Sequence, residues 1–413
     1  MNNITITSTK KFYTFFRKPT TRNSRFRQVW LPGVSTIEKE TTKVRTEQKF
    51  AQSEMTSMRN HTAVYFTNVR FFLILLVVLV NLLLTLPPLP EAAQAVVTAI
   101  FTFHLPVFVL VTGYFAKTYW QKPEAAAGML RIALQYLFFQ TLYSVLDLFW
   151  LHSPGIRYSF WLPYWMLWFL TAHFGWKLLL IPFTRLKHPV AAAILLGVAA
   201  GFLPAEAGAW LGLTRTLVFF PFFLAGYYWR EEREPRRRPA VRRLAIRAAA
   251  ALLLLALPAF WHAAGAESAA QWLAGGAGYA QLGVPAAAGT LLRLGCYAAQ
   301  AAASAAFLLL LPRAESRLTV LGGRTVYVFL LHGAAIKLLG AAGLLELLAR
   351  LMGAGAAGTA GALAAACAAA AAIVAALSGR RFAAAMRPCI EPDAARALRW
   401  LQRRLPGRAR STY

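Results

Sequence analysis

Charge is scarce in this chain. Only 15% of its 413 residues are Asp, Glu, Lys or Arg, where a soluble domain carries about 25%. Acidic residues are scarcest, 16 against 44 Lys and Arg. Cysteine is nearly absent too. Cys296, Cys367 and Cys389 form no CxxC and no metal spacing, and an odd number argues against a disulfide framework, so no metal is expected. The chain also lacks a P-loop, a GxSxG elbow and an HExxH helix, which leaves NTPase, hydrolase and zincin readings without support. No series of carboxylates runs through its apolar stretches, which weakens a proton pump. No internal repeat is visible, and repeats are the main sequence sign of a secondary transporter.

What the chain has is hydrophobic sequence: 58% apolar residues and a mean hydropathy of +0.48. Runs of roughly 20 apolar residues, the length a membrane-crossing helix needs, recur at about 69–88, 93–116, 128–150, 161–182, 189–204, 210–229, 244–262, 288–312, 322–348 and 356–377. The expected fold is all-α, a polytopic bundle of about ten transmembrane helices. Its 12 Trp, 14 Tyr and 28 Phe suit interfacial aromatic belts. Pro106, Pro163 and Pro221 fall inside spans, where neighbouring helices can satisfy the freed backbone groups.

A net charge of +28 would suggest nucleic acid in a soluble protein. Here the positive charge sits between apolar runs and alternates from loop to loop. Lys117, Lys122, Arg185, Lys187, the run Arg230 to Arg243, Arg313, Arg317 and Arg324 all fall on one side, and the stretch Ala263 to Pro285 on the other side has no Lys or Arg. The positive-inside rule accounts for this pattern, so no nucleic-acid partner is expected. It puts both termini in the cytoplasm, with the plasma membrane as the expected location and lipid as the surrounding partner. Residues 1–64 read as a basic tail, 65–378 as the membrane domain, and 379–413 as a second basic cytoplasmic tail. For residues 1 to about 60, which have no acid before Glu38, three readings stay open: a tail, an organelle transit peptide, or an over-extended start before Met55 or Met58.

Ionisable residues inside apolar runs are the first candidates for chemistry, because lipid offers them no partner. His104 stands in FHLPVFVLVTGYF (Phe103 to Phe115), His332 in TVYVFLLHG, and Arg215 ahead of the run FFPFFLAGYY. His104 can serve as a base or as a core histidine bonded to a neighbouring helix. Arg215 must pair, snorkel or bind an anion. For His332, site and structural roles weigh equally. Gly113 and Tyr114 read either as a packing glycine and a belt tyrosine or as pocket lining. Trp168 reads as packing or belt, and Asp147 and His152 read as water-facing residues at an outer helix end.

YFTNVRFFLILLVVLVN (Tyr65 to Asn81), the His104 segment, LPYWMLWFLTAHF (Leu162 to Phe174), TRTLVFFPFFLAGYYWR (Thr214 to Arg230) and GGRTVYVFLLHGAAIK (Gly322 to Lys337) follow one another in order. Together they resemble the acyltransferase-3 superfamily, especially its fucose 4-O-acetylase-like branch. The resemblance implies transfer of an acyl group, typically acetyl, from acyl-CoA (acetyl-CoA) to a hydroxyl of a sugar or cell-surface glycan. Acyl-CoA is then a co-substrate, no cofactor stays bound, and the partner is a carbohydrate acceptor. Such transfer needs a base near the hydroxyl, donors for a tetrahedral oxyanion and cations for the CoA phosphates.

Family members place an Arg or Lys near the start of the first span, matched here by Arg70, and a His eleven residues on, where this chain has Asn81. The branch often has an acid where Thr67 stands. An amide accepts no proton at neutral pH, so Asn81 can only orient or hydrogen-bond. The set that follows is His104, Asn81 and Arg70 as catalytic residues, with Arg215, Tyr114 and His332 as substrate-binding residues. A catalytically impaired member of the same fold, or a transporter of a glycan or lipid-linked substrate, is the alternative.

Overall fold

In the computed structural model of the chain, residues 60–86, 88–151, 158–230 and 239–404 are described. His152, most of the arginine run and residues 1–59 lie outside them. All regular structure among the described residues is helical. The first span is α1, Asn60–Leu83. The second is α2, Glu91–Phe101, followed by α3, His104–Phe115. Then come α4, Ala125–Leu146, and α5, Trp168–Phe183. Helices α6, Pro189–Ala199, α7, Ala205–Ala209, and α8, Leu213–Tyr227, form a second group. Next are α9, Ala240–Ala264, α10, Ala266–Ala274, and α11, Ala286–Leu310. The last group is α12, Arg317–Gly322, α13, Thr325–Ala341, α14, Leu344–Met352, α15, Gly355–Leu377, α16, Arg380–Ile390, and α17, Ala394–Arg404.

The apolar runs read from the sequence are mostly helical where described, and the all-α polytopic fold is as expected. Among the described residues eight helices are long and apolar enough to cross, or nine if α13 and α14, bent by 77° at Gly343, count as one. Pro189–Phe202 falls short: at 1.5 Å per residue it reaches about 21 Å, against a hydrocarbon core of about 30 Å. Its far end is held instead by the 275–285 connection, where Tyr279 N–H donates to the Gly201 carbonyl at 2.6 Å and Tyr279 OH to Val198 at 2.9 Å.

Proline shapes the second span. Pro106 has no N–H to return to the Thr102 carbonyl, and Glu91–Phe115 breaks at Thr102–Phe103, where Phe103 has φ −133° and ψ −29°. The break is sealed by neighbours. Trp261 Nε1 donates to Thr102 Oγ1 at 2.8 Å, and Thr98 Oγ1 to the Ala266 carbonyl at 2.9 Å. Helices α3 and α8 then approach until backbone meets backbone. A Cβ at Gly113 would run into the Phe223 carbonyl, and one at Gly226 into the Leu110 carbonyl. Gly113 is thus a packing glycine.

Two faces are tied separately. On the one richer in Lys and Arg, the fully buried Asn68 donates to the Pro312 and Ala314 carbonyls and accepts from Thr319 Oγ1, while Lys117 Nζ donates to Trp229. Arg324 Nη1 donates there to the Ser378 carbonyl at 2.9 Å. On the opposite face Leu211 N–H donates to the Trp161 carbonyl at 2.7 Å, among the exposed rings of Tyr158, Phe160, Trp161 and Trp210. The described part of the segment read as a C-terminal tail, 379–404, is largely helical. Gln135 on α4 donates to the Ile390 carbonyl at 2.6 Å, and Ile390 and Ala394 are fully buried.

Gly226→Ala should therefore force α3 and α8 apart. The expected cost is about 1–3 kcal/mol, read as a lower melting temperature in detergent, whereas Gly295→Ala, which meets open space, should leave it unchanged.

Candidate functional site

A cavity of about 190 Å³ opens where α1, the α2–α3 break, the start of α5 and the start of α8 converge. Val77, Val80 and Leu84 form one wall, and Phe101, Trp165, Trp168, Phe169 and Phe329 are among the rings that form the rest. Of its fifteen lining residues, Asn81, His104 and Arg215 carry the amide, imidazole and guanidinium, and none is acidic.

His104 is the first residue of α3 and 3% exposed. The broken helix lets its Nδ1 reach the Ile100 carbonyl at 2.8 Å. A carbonyl only accepts, so that bond assigns the proton to Nδ1 and leaves a lone pair on Nε2. Among the described residues Nε2 has no hydrogen-bond partner. The ring leans on Phe101, with centroids 5.1 Å apart. Asn81, half-buried on α1, donates one N–H to the Val77 carbonyl at 2.8 Å and keeps a second N–H and an acceptor oxygen.

Arg215 lies in the first turn of α8. The strained residue before that helix, Leu211 at φ 50°, is held from both sides, by its N–H to Trp161 and by Thr171 Oγ1 donating to its carbonyl at 2.6 Å. The guanidinium rests over Trp168 at 4.9 Å, and its buried Nε has no partner. Against its other side lies Gly276, where a Cβ would come within 2.9 Å of Nε and 3.0 Å of Nη2.

Sequence reasoning missed the device that sets the aromatic wall. Trp165 has φ 43°, a left-handed conformation that a bulky residue adopts only under constraint. Gln140 on α4, 2% exposed, supplies part of it: its oxygen accepts from Tyr164 N–H at 2.8 Å, and its amide donates to Ser159 and Leu162. Asp147 supplies more, and here the expectation of a water-facing carboxylate fails. It is fully buried, 3.3 Å from Lys337 Nζ and bonded to the Tyr164 hydroxyl at 3.0 Å and to Tyr158. The density of aromatics in LPYWMLWF was the available signal, and Trp168 was read from it as packing or belt. It does pack, against Phe169 and Phe219, and it also lies beneath the Arg215 guanidinium.

The remaining predicted residues fall elsewhere. Arg70 lies toward the other end of α1, about 16 Å from Asn81 at 1.5 Å per residue. It donates to Thr67 Oγ1 at 3.3 Å and sits over Phe115 at 4.6 Å. Tyr114 packs on Phe66 with centroids 4.6 Å apart, under the Lys117 ammonium. Arg70 and Tyr114 therefore belong to the basic face, outside the cavity. His332 is fully buried one layer behind the wall, 6.1 Å from the Trp165 ring. Its Nδ1 meets the Phe329 and Val328 carbonyls and its Nε2 is unpartnered. No group of three metal-ligating side chains occurs among the described residues.

The fold and the cavity define a polytopic membrane protein that holds an imidazole, an amide and a guanidinium in one apolar, aromatic pocket. The acyltransferase-3 model, described as an acyltransferase domain, matches residues 64–379, and the chain belongs to that family. It is an integral membrane acyltransferase. No curated protein and no solved structure matches it.

Lys337→Met leaves the Asp147 carboxylate buried without its cation. A loss of about 3 kcal/mol is expected, measured as earlier unfolding in detergent, with partial recovery in the Lys337→Met, Asp147→Asn double variant.

Proposed function

We propose that the protein moves an acyl group, acetyl in the simplest case, from acyl-CoA to a hydroxyl of a sugar or glycan. The observation that carries this reading is that His104, with its Nδ1 held by the Ile100 carbonyl, lines the same cavity as Asn81 and Arg215. In the proposed reaction Nε2 takes the acceptor hydroxyl proton as the oxygen attacks the thioester carbonyl. The tetrahedral oxyanion accepts a hydrogen bond from the free Asn81 N–H. Its collapse breaks the carbon–sulfur bond, and the departing CoA thiolate recovers the proton from the imidazolium. Ester and CoA are the products, and no net proton is released.

The acyl donor enters from the basic face in this reading, its phosphates drawn by Arg70, Lys117 and Arg313, with the termini on the cytoplasmic side of the plasma membrane. Aromatic side chains of the lining such as Trp165 and Phe101 suit the C–H faces of a sugar. The resemblance to the fucose 4-O-acetylase-like branch favours a carbohydrate acceptor. One departure favours a second reading, an impaired member of the fold: Asn81 stands where the resemblance puts a histidine. On the first reading, the base is His104 instead.

Purified protein given radiolabelled acetyl-CoA and a glycan mixture should produce base-labile labelled ester. His104→Ala should cut the rate about 10²–10⁴-fold without changing CoA binding. Asn81→His should leave that dependence on His104 intact. Absence of label above background with CoA binding preserved, or activity restored only by Asn81→His, supports the impaired reading instead.

A further inference from the structure

We infer that the acceptor is anionic, carrying a carboxylate or phosphate that pairs with Arg215 while His104 meets its hydroxyl. The inference rests on the acyl-transfer reading and adds the class of substrate to it. A guanidinium within an apolar span is costly to leave uncompensated, so a cation kept there needs a partner. Among the described residues Arg215 has no acidic partner. Its buried Nε is unpartnered, no ion pair reaches it among the described residues, and no carboxylate lines the cavity.

The guanidinium is nonetheless built into place. The Trp168 ring supports it at 4.9 Å, and Gly276 leaves the space on its other side that a Cβ would take from Nε and Nη2. Neither neighbour neutralises the charge, and both hold a planar fork whose free N–H groups suit a two-oxygen anion. Snorkelling would direct the charge toward water, whereas Arg215 lines the same cavity as His104. Donor phosphates are a poor match for this position. Arg215 starts α8, and the Lys117–Trp229 contact of the basic face lies beyond the other end of that helix, about 21 Å away. An acceptor that enters opposite the donor and brings its own negative charge satisfies both conditions.

The test compares glucuronic acid, glucose 6-phosphate and glucose. Each is offered as acceptor with labelled acetyl-CoA, and each is also titrated alone in a thermal-shift assay. Wild type should favour at least one anionic sugar over glucose by about tenfold or more in kcat/KM, chiefly through KM. In Arg215→Gln that preference should collapse to within about twofold, and Arg215→Lys should retain part of it. A carboxylate source and a phosphate source are told apart by which sugar is preferred. Equal use of all three by wild type, or an equal fall for all three in Arg215→Gln through kcat alone, overturns the inference and leaves acyl transfer standing. Stabilisation by an anionic sugar that Arg215→Gln abolishes, with no ester formed from any acceptor, upholds the anion site and sinks the transfer reading.

Discussion

A polar group at membrane depth must find its partner within the protein, and the break in the second span is where this chain meets that demand most productively. Pro106 frees the Thr102 carbonyl, the helix restarts at His104, and the Ile100 carbonyl takes the imidazole Nδ1. One bond fixes the ring, chooses its tautomer and leaves Nε2 with its lone pair. The same break is sealed from behind by Trp261 and by the start of α10, so a discontinuity in the backbone is tolerated where lipid could not satisfy it.

The other elements bring partners to that imidazole. The glycine contacts of α3 with α8 draw the helix bearing Arg215 against the helix bearing His104. The held turn at Leu211 sets where α8 begins, and therefore where its guanidinium lies. On the far wall, Gln140 on α4 and Asp147 just after it hold Tyr164 by its N–H and its hydroxyl, and the strained Trp165 follows. Strain of this kind persists only where surrounding bonds over-determine it, and such places cluster at ligand sites. The basic face is organised independently, around Asn68, Lys117 and Arg70, so the two ends of the molecule carry different chemistry.

His104 and Arg215 were legible in the sequence because each is an ionisable group in an apolar run, a signal that needs no knowledge of packing. That they share a cavity with Asn81 was not legible, since it depends on how three separate spans converge. Arg70 joined the expected site through the family resemblance and Tyr114 through its place in the His104 segment, and the length of α1 and the direction of α3 put both at the other end. Hydropathy located the long apolar helices and the shorter α6, while α7, α10, α16 and α17 fall outside the expected spans because none carries an apolar run of membrane-crossing length. Asp147 was misread for a different reason. A carboxylate at a helix end looks solvated until a lysine from a distant segment, Lys337, is folded onto it.

The account rests on a neutral His104 whose Nε2 is free to accept a proton, and nitrogen-15 NMR of histidine-labelled protein in detergent reads this directly, with His104→Gln assigning the signal. A protonated Nδ1 with a bare Nε2 that shifts when acceptor is added is the predicted result. A protonated Nε2 with a bare Nδ1 would contradict it, because the nitrogen in the cavity would then have no lone pair to act as the base.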